Sequence, residues 1–216
     1  AHALREDVDP ADVEVAFGDV VGLSREDVAQ TLLDRFELAE AARQLDASVE
    51  PWEAYVNVRL EIYEAMTHDP EVIRGEACPY AGAVVRRARD LARNVALVTT
   101  SDRDATDAVL SALELADAFD LILTADDVEV TKPDPEGYQM ALDHFGVRST
   151  NTLTLEDSPS GIRAALAAGI PLVIVPNEMT ASRVTAMVQS GETDDADVVW
   201  DLNELADHVD GRVASA

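Results

Sequence analysis

The chain has 216 residues, 47% of them hydrophobic, and a formal net charge of −27 spread along its whole length. It is long enough to bury a sizeable core, and no apolar run approaches the roughly 18 residues that span a bilayer. Its negative charge would repel phosphate backbones, so nucleic acid, membrane and secretory readings are set aside, and the single cysteine, Cys78, excludes an internal disulfide and points to a reducing cytoplasm.

The first elements read as helices. Asp7-Val-Asp9 follows the polar stretch "HALRE" and precedes Pro10, the pattern of a turn leading into a helix from Ala11. In "LSREDVAQTLLDRF", Ser24 stands as N-cap with Asp27 three residues on, and Val28, Leu32 and Phe36 form one stripe. A helix opened by Pro51 sets Trp52, Tyr55, Val56, Leu60 and Tyr63 on one face, the spacing of a core rather than of a cofactor box. Strand-like alternation is absent before about residue 76, so residues 1–75 are expected to form a helical domain and 76–216 an α/β domain. Cys78, in "ACPYAG" between the two, is expected to be packed at the hinge, and His68, His144 and His208 read as ordinary surface or helix residues.

From Val95 onward short apolar runs alternate with helix-length segments: "VALVT" (95–99), "LILTA" (121–125), "TLTL" (152–155) and "PLVIV" (171–175). Continuous β-branched runs between helices predict a parallel sheet covered on both faces. Val109, Leu110 and Leu113 share one helix face; Ile162, Ala165 and Leu166 share another, ended by Gly169 where a left-handed cap is expected. "DVVW" (197–200) reads as a weaker last strand before a terminal helix near Leu202 to His208.

In open parallel sheets ligands sit beyond the carboxyl ends of the strands, so the residues just after each run carry the interest. After the first come Thr99, Thr100 and Ser101, ahead of a helix beginning near Arg103; hydroxyls and free N–H groups there suit an anion such as phosphate. After the second comes Lys132, held in a loop by Pro133 and Pro135. Fifteen of the sixteen basic residues are arginine, so this is the only lysine. A distributed acidic surface with arginine replacing lysine resembles that of proteins from salt-loving archaea, and a lysine retained against that trend points to a place that needs a compact cation. After the third run come Glu156 and Asp157. Chance gives about eight or nine adjacent acidic pairs in so acidic a chain, so position, not pairing, singles this one out. Hydroxyls, one cation and two hard oxygen ligands at successive strand ends form an inventory for holding a phosphoryl group and Mg²⁺ together.

"VALVTTS", "TKPDP" and "LEDSPSGIRAALAAGI", in that order and at those intervals, resemble motifs two, three and four of the haloacid dehalogenase superfamily. "VGLSRED" (21–27) resembles the helical cap of its beta-phosphoglucomutase and phosphoglycolate phosphatase branch. The resemblance implies a Rossmann-like parallel sheet with the cap inserted after its first strand. It implies that Thr99 hydrogen-bonds the transferring phosphoryl group, with Thr100 and Ser101 beside it on the substrate. Lys132 would neutralise charge, Glu156 and Asp157 would hold Mg²⁺, and Arg25 would reach a substrate's distal group. The expected activity is phosphatase action on a small phosphorylated metabolite, a sugar phosphate or phosphoglycolate, by a monomer. A phosphomutase and a non-catalytic phosphate- or metal-binding relative stay open, whereas a dehalogenase fits less well because the acid pair suits Mg²⁺.

The family's chemistry starts from an aspartate two residues before a second one, at the end of the first strand. Asp7 and Asp9 have that spacing, but no apolar strand precedes them and only 12 residues separate Asp9 from Gly22. His2 looks like the histidine the family often carries soon after that motif, which places the strand before Ala1. By resemblance that strand is central, and its removal leaves two half-sheets whose unmatched N–H and C=O groups cost about 1–3 kcal/mol each. The strand and both aspartates are therefore expected N-terminal to Ala1, and the 216 residues alone are expected to lack normal turnover.

Overall fold

The computed structural model describes residues 4–5, 7–20, 24–78 and 80–214, so His2, Gly22 and the start of "VGLSRED" lie outside the described residues. The chain divides into two compact units, Ala1–Met66 and Thr67–Ala216. No described helix is long and apolar enough to cross a membrane.

The first unit holds α1 (Pro10–Val20), α2 (Arg25–Arg35), α3 (Ala39–Leu45) and most of α4 (Pro51–Thr67). Asp9 accepts from Ala11 N at 2.9 Å and Asp7 from Arg5 Nε at 2.9 Å. Asp7-Val-Asp9 is thus a turn that caps a helix, not the end of a strand. Ser24 caps α2 by accepting from Asp27 N at 3.1 Å. Val28, Leu32, Leu33, Leu38, Ala42, Tyr55 and Val56 form the core, with Phe36 and Trp52 packed against it. The apolar face of α4 is buried only in its first half, since Leu60 is 42% and Tyr63 54% exposed. At 17 residues α4 is about 25 Å long, half again the length of the 11-residue α1 and α2, so its second half runs past the packed side chains.

The second unit is α/β: α5 (Pro70–Glu76), α6 (Ala81–Leu91), β1 (Ala96–Val98), α7 (Arg103–Ala112), β2 (Leu121–Leu123), α8 (Glu136–Phe145), β3 (Thr154–Glu156), α9 (Pro159–Ala167), β4 (Leu172–Ile174), α10 (Ala181–Ser190) and α11 (Leu205–Ala214). β1 pairs with β2 and β3 with β4, both in parallel. β4 is buried throughout, as a strand covered on both faces must be. Leu172 and Ile174 pack with Ile162 of α9 and Val184 and Met187 of α10, while Val173 packs with Leu205 and Val209 of α11. Of the predicted α9 face, Ile162 and Ala165 are fully buried and Leu166 is exposed. Gly169 takes the left-handed conformation expected after that helix, with φ of 67°.

Besides the exposed ends of the α4 and α9 faces, two further expectations are corrected. "DVVW" is not a strand: it makes one parallel bridge, Ile174 to Val198, because Asp194 accepts from Ala196 N at 2.9 Å and winds 195–197 into a 3-10 turn. Cys78 is exposed rather than packed, on the short connection between α5 and α6.

Where the apolar runs predict one parallel sheet, the described strands form two separate two-stranded sheets, the arrangement that the resemblance implies when the central strand is removed. Among the described residues no strand joins β1 to β3, and β1, paired on one side only, is half-buried along its length. In the first unit, Leu33→Ala should cost about 2–5 kcal/mol in urea unfolding, because it empties a fully buried site. Leu60→Ala should cost well under half of that. Equal costs would place the second half of α4 in the core.

Candidate active site

At the end of β1 the pairing continues one residue further, with Thr99 N donating to Leu123 O at 2.9 Å. The chain then turns. Thr99 Oγ1 accepts from Ser101 N at 3.1 Å, and Thr100 is exposed. Asp102, not a hydroxyl residue, caps α7 by accepting from Ala105 N at 2.8 Å, so Thr99, Thr100 and Ser101 stand outside the helix.

Lys132 lies in the loop between β2 and α8. Glu136 organises that loop, its carboxylate accepting from Glu129 N at 2.9 Å and Val130 N at 2.8 Å, and the Lys132–Pro133 peptide is cis. The lysine side chain is only 12% exposed. Its ammonium donates to Val98 O at 2.8 Å and to Glu156 Oε1 at 2.5 Å, and lies 4.9 Å from the centre of the Tyr138 ring. One cation therefore touches the carboxyl ends of β1 and β3.

Glu156, the last residue of β3, is buried. Its Oε1 also accepts from the Tyr138 hydroxyl, which in turn accepts from Thr154 Oγ1 at 3.3 Å. Burial, and next the Glu156 carboxylate beside it, push the Tyr138 phenol far above its ordinary range, so it stays protonated and donates. Room for the carboxylate depends on Gly161. A Cβ there would fall 1.8 Å from Glu156 Oε2, so the first turn of α9 can close over the acid only without one. Ser158 caps that turn, accepting from Gly161 N at 3.1 Å, with Pro159 at its first position.

Asp157 is different: it is exposed, and its Oδ2 accepts from Asn177 Nδ2 at 3.0 Å. Asn177 belongs to the loop after β4, placing it at the end of a fourth strand.

Of the residues singled out in sequence, Lys132 and Glu156 are in direct contact, Thr99 follows the carbonyl that Lys132 binds, and Asp157 adjoins Glu156. Arg25 is the exposed first residue of α2, in the other unit. Tyr138 and Asn177 escaped sequence reasoning. Asn177 was detectable, since it follows the fourth apolar run just as Asp157 follows the third.

Among the described residues no three His, Cys, Asp or Glu side chains cluster to hold a metal. Mg²⁺ commonly keeps several waters and takes one or two carboxylates along with substrate phosphates. The donor chemistry fits that habit, foremost through Asp157, which is exposed and spends Oδ2 on a neutral amide, whereas Oε1 of Glu156 is engaged by Lys132 and Tyr138.

The family model for haloacid dehalogenase-like hydrolases matches residues 20–175. This chain belongs to that family. Among curated relatives, a phosphoglycolate phosphatase of Rhodospirillum rubrum is 32% identical over 108 residues, 49% of this chain and 44% of its own. The fructose-1-phosphate phosphatase YqaB of Escherichia coli is 36% identical over 83 residues, 38% and 44% of the two chains. YhcW of Bacillus subtilis, provisionally named a phosphatase, is 40% identical over 107 residues, 50% of this chain and 49% of its own. The alignment thus spans about half the length of these relatives. Among solved structures, a beta-phosphoglucomutase from Clostridium difficile aligns over 99% of this chain and 86% of its own, with a TM-score of 0.56 at 20% identity, a likeness of fold.

Gly161→Ala should destabilise the protein by about 1–3 kcal/mol, the usual cost of overpacking. In a Glu156→Ala background the same change should cost less than about 0.5 kcal/mol, as the colliding carboxylate is gone. A double-mutant cycle by chemical denaturation reads this directly, and additive effects would contradict the packing described.

Proposed function

We propose that these strand ends bind and transfer a phosphoryl group, as in a Mg²⁺-dependent phosphatase acting on a small phosphorylated metabolite. The observation that carries the reading is Lys132: the only lysine of an acidic chain has its ammonium largely withdrawn from solvent where two strands end. In that setting, Lys132 would neutralise phosphoryl charge, and Thr99, Thr100 and Ser101 would donate from hydroxyl and N–H groups. Asp157, backed by Glu156, would hold Mg²⁺, which when bound draws negative charge off the phosphoryl oxygens. Arg25 remains, by resemblance, the candidate for a substrate's distal group. The relatives named for fructose 1-phosphate and phosphoglycolate make sugar phosphates and phosphoglycolate the first substrates to try. Hydrolysis is preferred to mutase chemistry because these sequence relatives are named as phosphatases, while the mutase likeness is one of fold. A cytoplasmic monomer remains the expected form.

One observation favours a second reading for the 216 residues taken alone. Among the described residues no Asp-x-Asp ends a strand, and Asp7 and Asp9 serve a turn. The chain by itself should therefore bind phosphate and metal without normal turnover.

With Mg²⁺, fructose 1-phosphate or phosphoglycolate should yield no phosphate above background from the 216-residue chain. Fusing an apolar strand ending in Asp-x-Asp ahead of it should bring turnover, which Lys132→Ala or Asp157→Asn then lowers by about 10²-fold or more. Substantial turnover by the chain alone would overturn the second reading, and a folded but inactive fusion the first.

A further inference from the structure

The loop after β4 holds a side chain that nothing so far employs. Asn177 is fixed from three directions. Its Oδ1 accepts from Met179 N at 2.9 Å and from Thr180 N at 3.1 Å. Its own N–H donates to Thr180 Oγ1 at 3.0 Å, and its carbonyl accepts from Ala181 N at 2.9 Å. Thr180 is buried and leads into α10, whose Val184 and Met187 pack on Ile174 of β4. The turn is thereby anchored to the core of its own unit.

This anchoring settles which way the amide points. Two backbone donors on one side require the oxygen there, so the nitrogen, with two donors of its own, must face the other way. It faces Asp157, donating to Oδ2 at 3.0 Å. The ladder sets the reach: Val175 N donates to Glu156 O at 2.8 Å, which brings the segment two residues further on alongside Asp157.

Among the described residues no arginine, lysine or histidine pairs with Asp157, and its orienting partner is neutral. The distinction matters for a cation ligand. A guanidinium in that place would orient the carboxylate but also neutralise it and compete with an incoming cation; an amide orients it and leaves the full negative charge.

We propose that Asn177 is a positioning residue that holds Asp157 in the orientation in which it takes a divalent cation. The inference rests on the reading of Asp157 as the Mg²⁺-holding carboxylate. It adds the end of the fourth strand to the site.

The test is direct binding of Mn²⁺, standing in for Mg²⁺, to the full 216-residue chain, followed by electron paramagnetic resonance at a temperature where every variant is folded by circular dichroism. Asp157→Asn should weaken binding more than tenfold. Asn177→Ala should weaken it about fivefold in the wild-type background and leave it unchanged in the Asp157→Asn background, because the amide acts only through that carboxylate. If Asn177 served the turn alone, Asn177→Ala would lower the melting temperature yet leave Mn²⁺ affinity as it was, and that result overturns the inference while sparing the reading of Asp157. Absence of Mn²⁺ binding, or binding indifferent to Asp157→Asn, would overturn both.

Discussion

The strand ends of the two sheets are tied together by one largely buried ammonium. Lys132 donates to Val98 O and Glu156 Oε1, and so ties β1 of one two-stranded sheet to β3 of the other. A charge 12% exposed is tolerated only if paired and hydrogen-bonded, and removing one member of such a pair costs about 3–5 kcal/mol because the other is left buried and uncompensated. The surroundings are shaped to that demand. Gly137 lets the start of α8 close on β1, since a Cβ there would meet Val98 Cγ1 at 2.9 Å, and this closeness brings Tyr138 under the lysine. Gly161 does the same for α9 over Glu156. Two glycines, a tyrosine and a strand-end carbonyl thus follow from one cation.

The surface uses cations in another way. Arg87 grips Asp210 through two nitrogens, at 3.1 and 2.6 Å, and Arg163 grips Glu192 at 2.5 and 3.1 Å. These forks, hydrogen bonds first, lower the pKa of both carboxylates. Exposed pairs of this kind contribute little each, but the planar fork is a geometry that lysine cannot copy. A compact point charge is the better choice where one ammonium must serve a backbone carbonyl, a carboxylate and an aromatic face together. Arginine outside and a single lysine inside are therefore two answers to two geometric problems.

The strands were legible as short apolar runs set between helix-length segments; β4 is buried residue by residue, as a strand covered on both faces must be, whereas β1 is only half-buried. Lys132, Glu156 and Asp157 were legible because they follow such runs, although their roles rest on resemblance. "DVVW" misled because a run of apolar residues says nothing of the side-chain cap at Asp194, whose turn over 195–197 leaves the segment a single bridge to β4. Leu60 and Tyr63 misled because periodicity identifies a face without saying how far its cover extends. Tyr138 could not be foreseen, since only the fold brings its hydroxyl to Glu156, 18 residues away. The two half-sheets, by contrast, followed only from the resemblance, which makes the first strand central; the apolar runs by themselves predicted one sheet.

The central claim is that Lys132 is a phosphate-facing cation as well as a structural tie, and the sequence supplies its own probe. With one lysine in 216 residues, ¹³Cε-lysine labelling gives a single side-chain resonance from position 132. Titration with inorganic phosphate in the presence of Mg²⁺ should move that resonance saturably. A signal that stays fixed up to saturating phosphate, in a protein shown to be folded, would contradict the account.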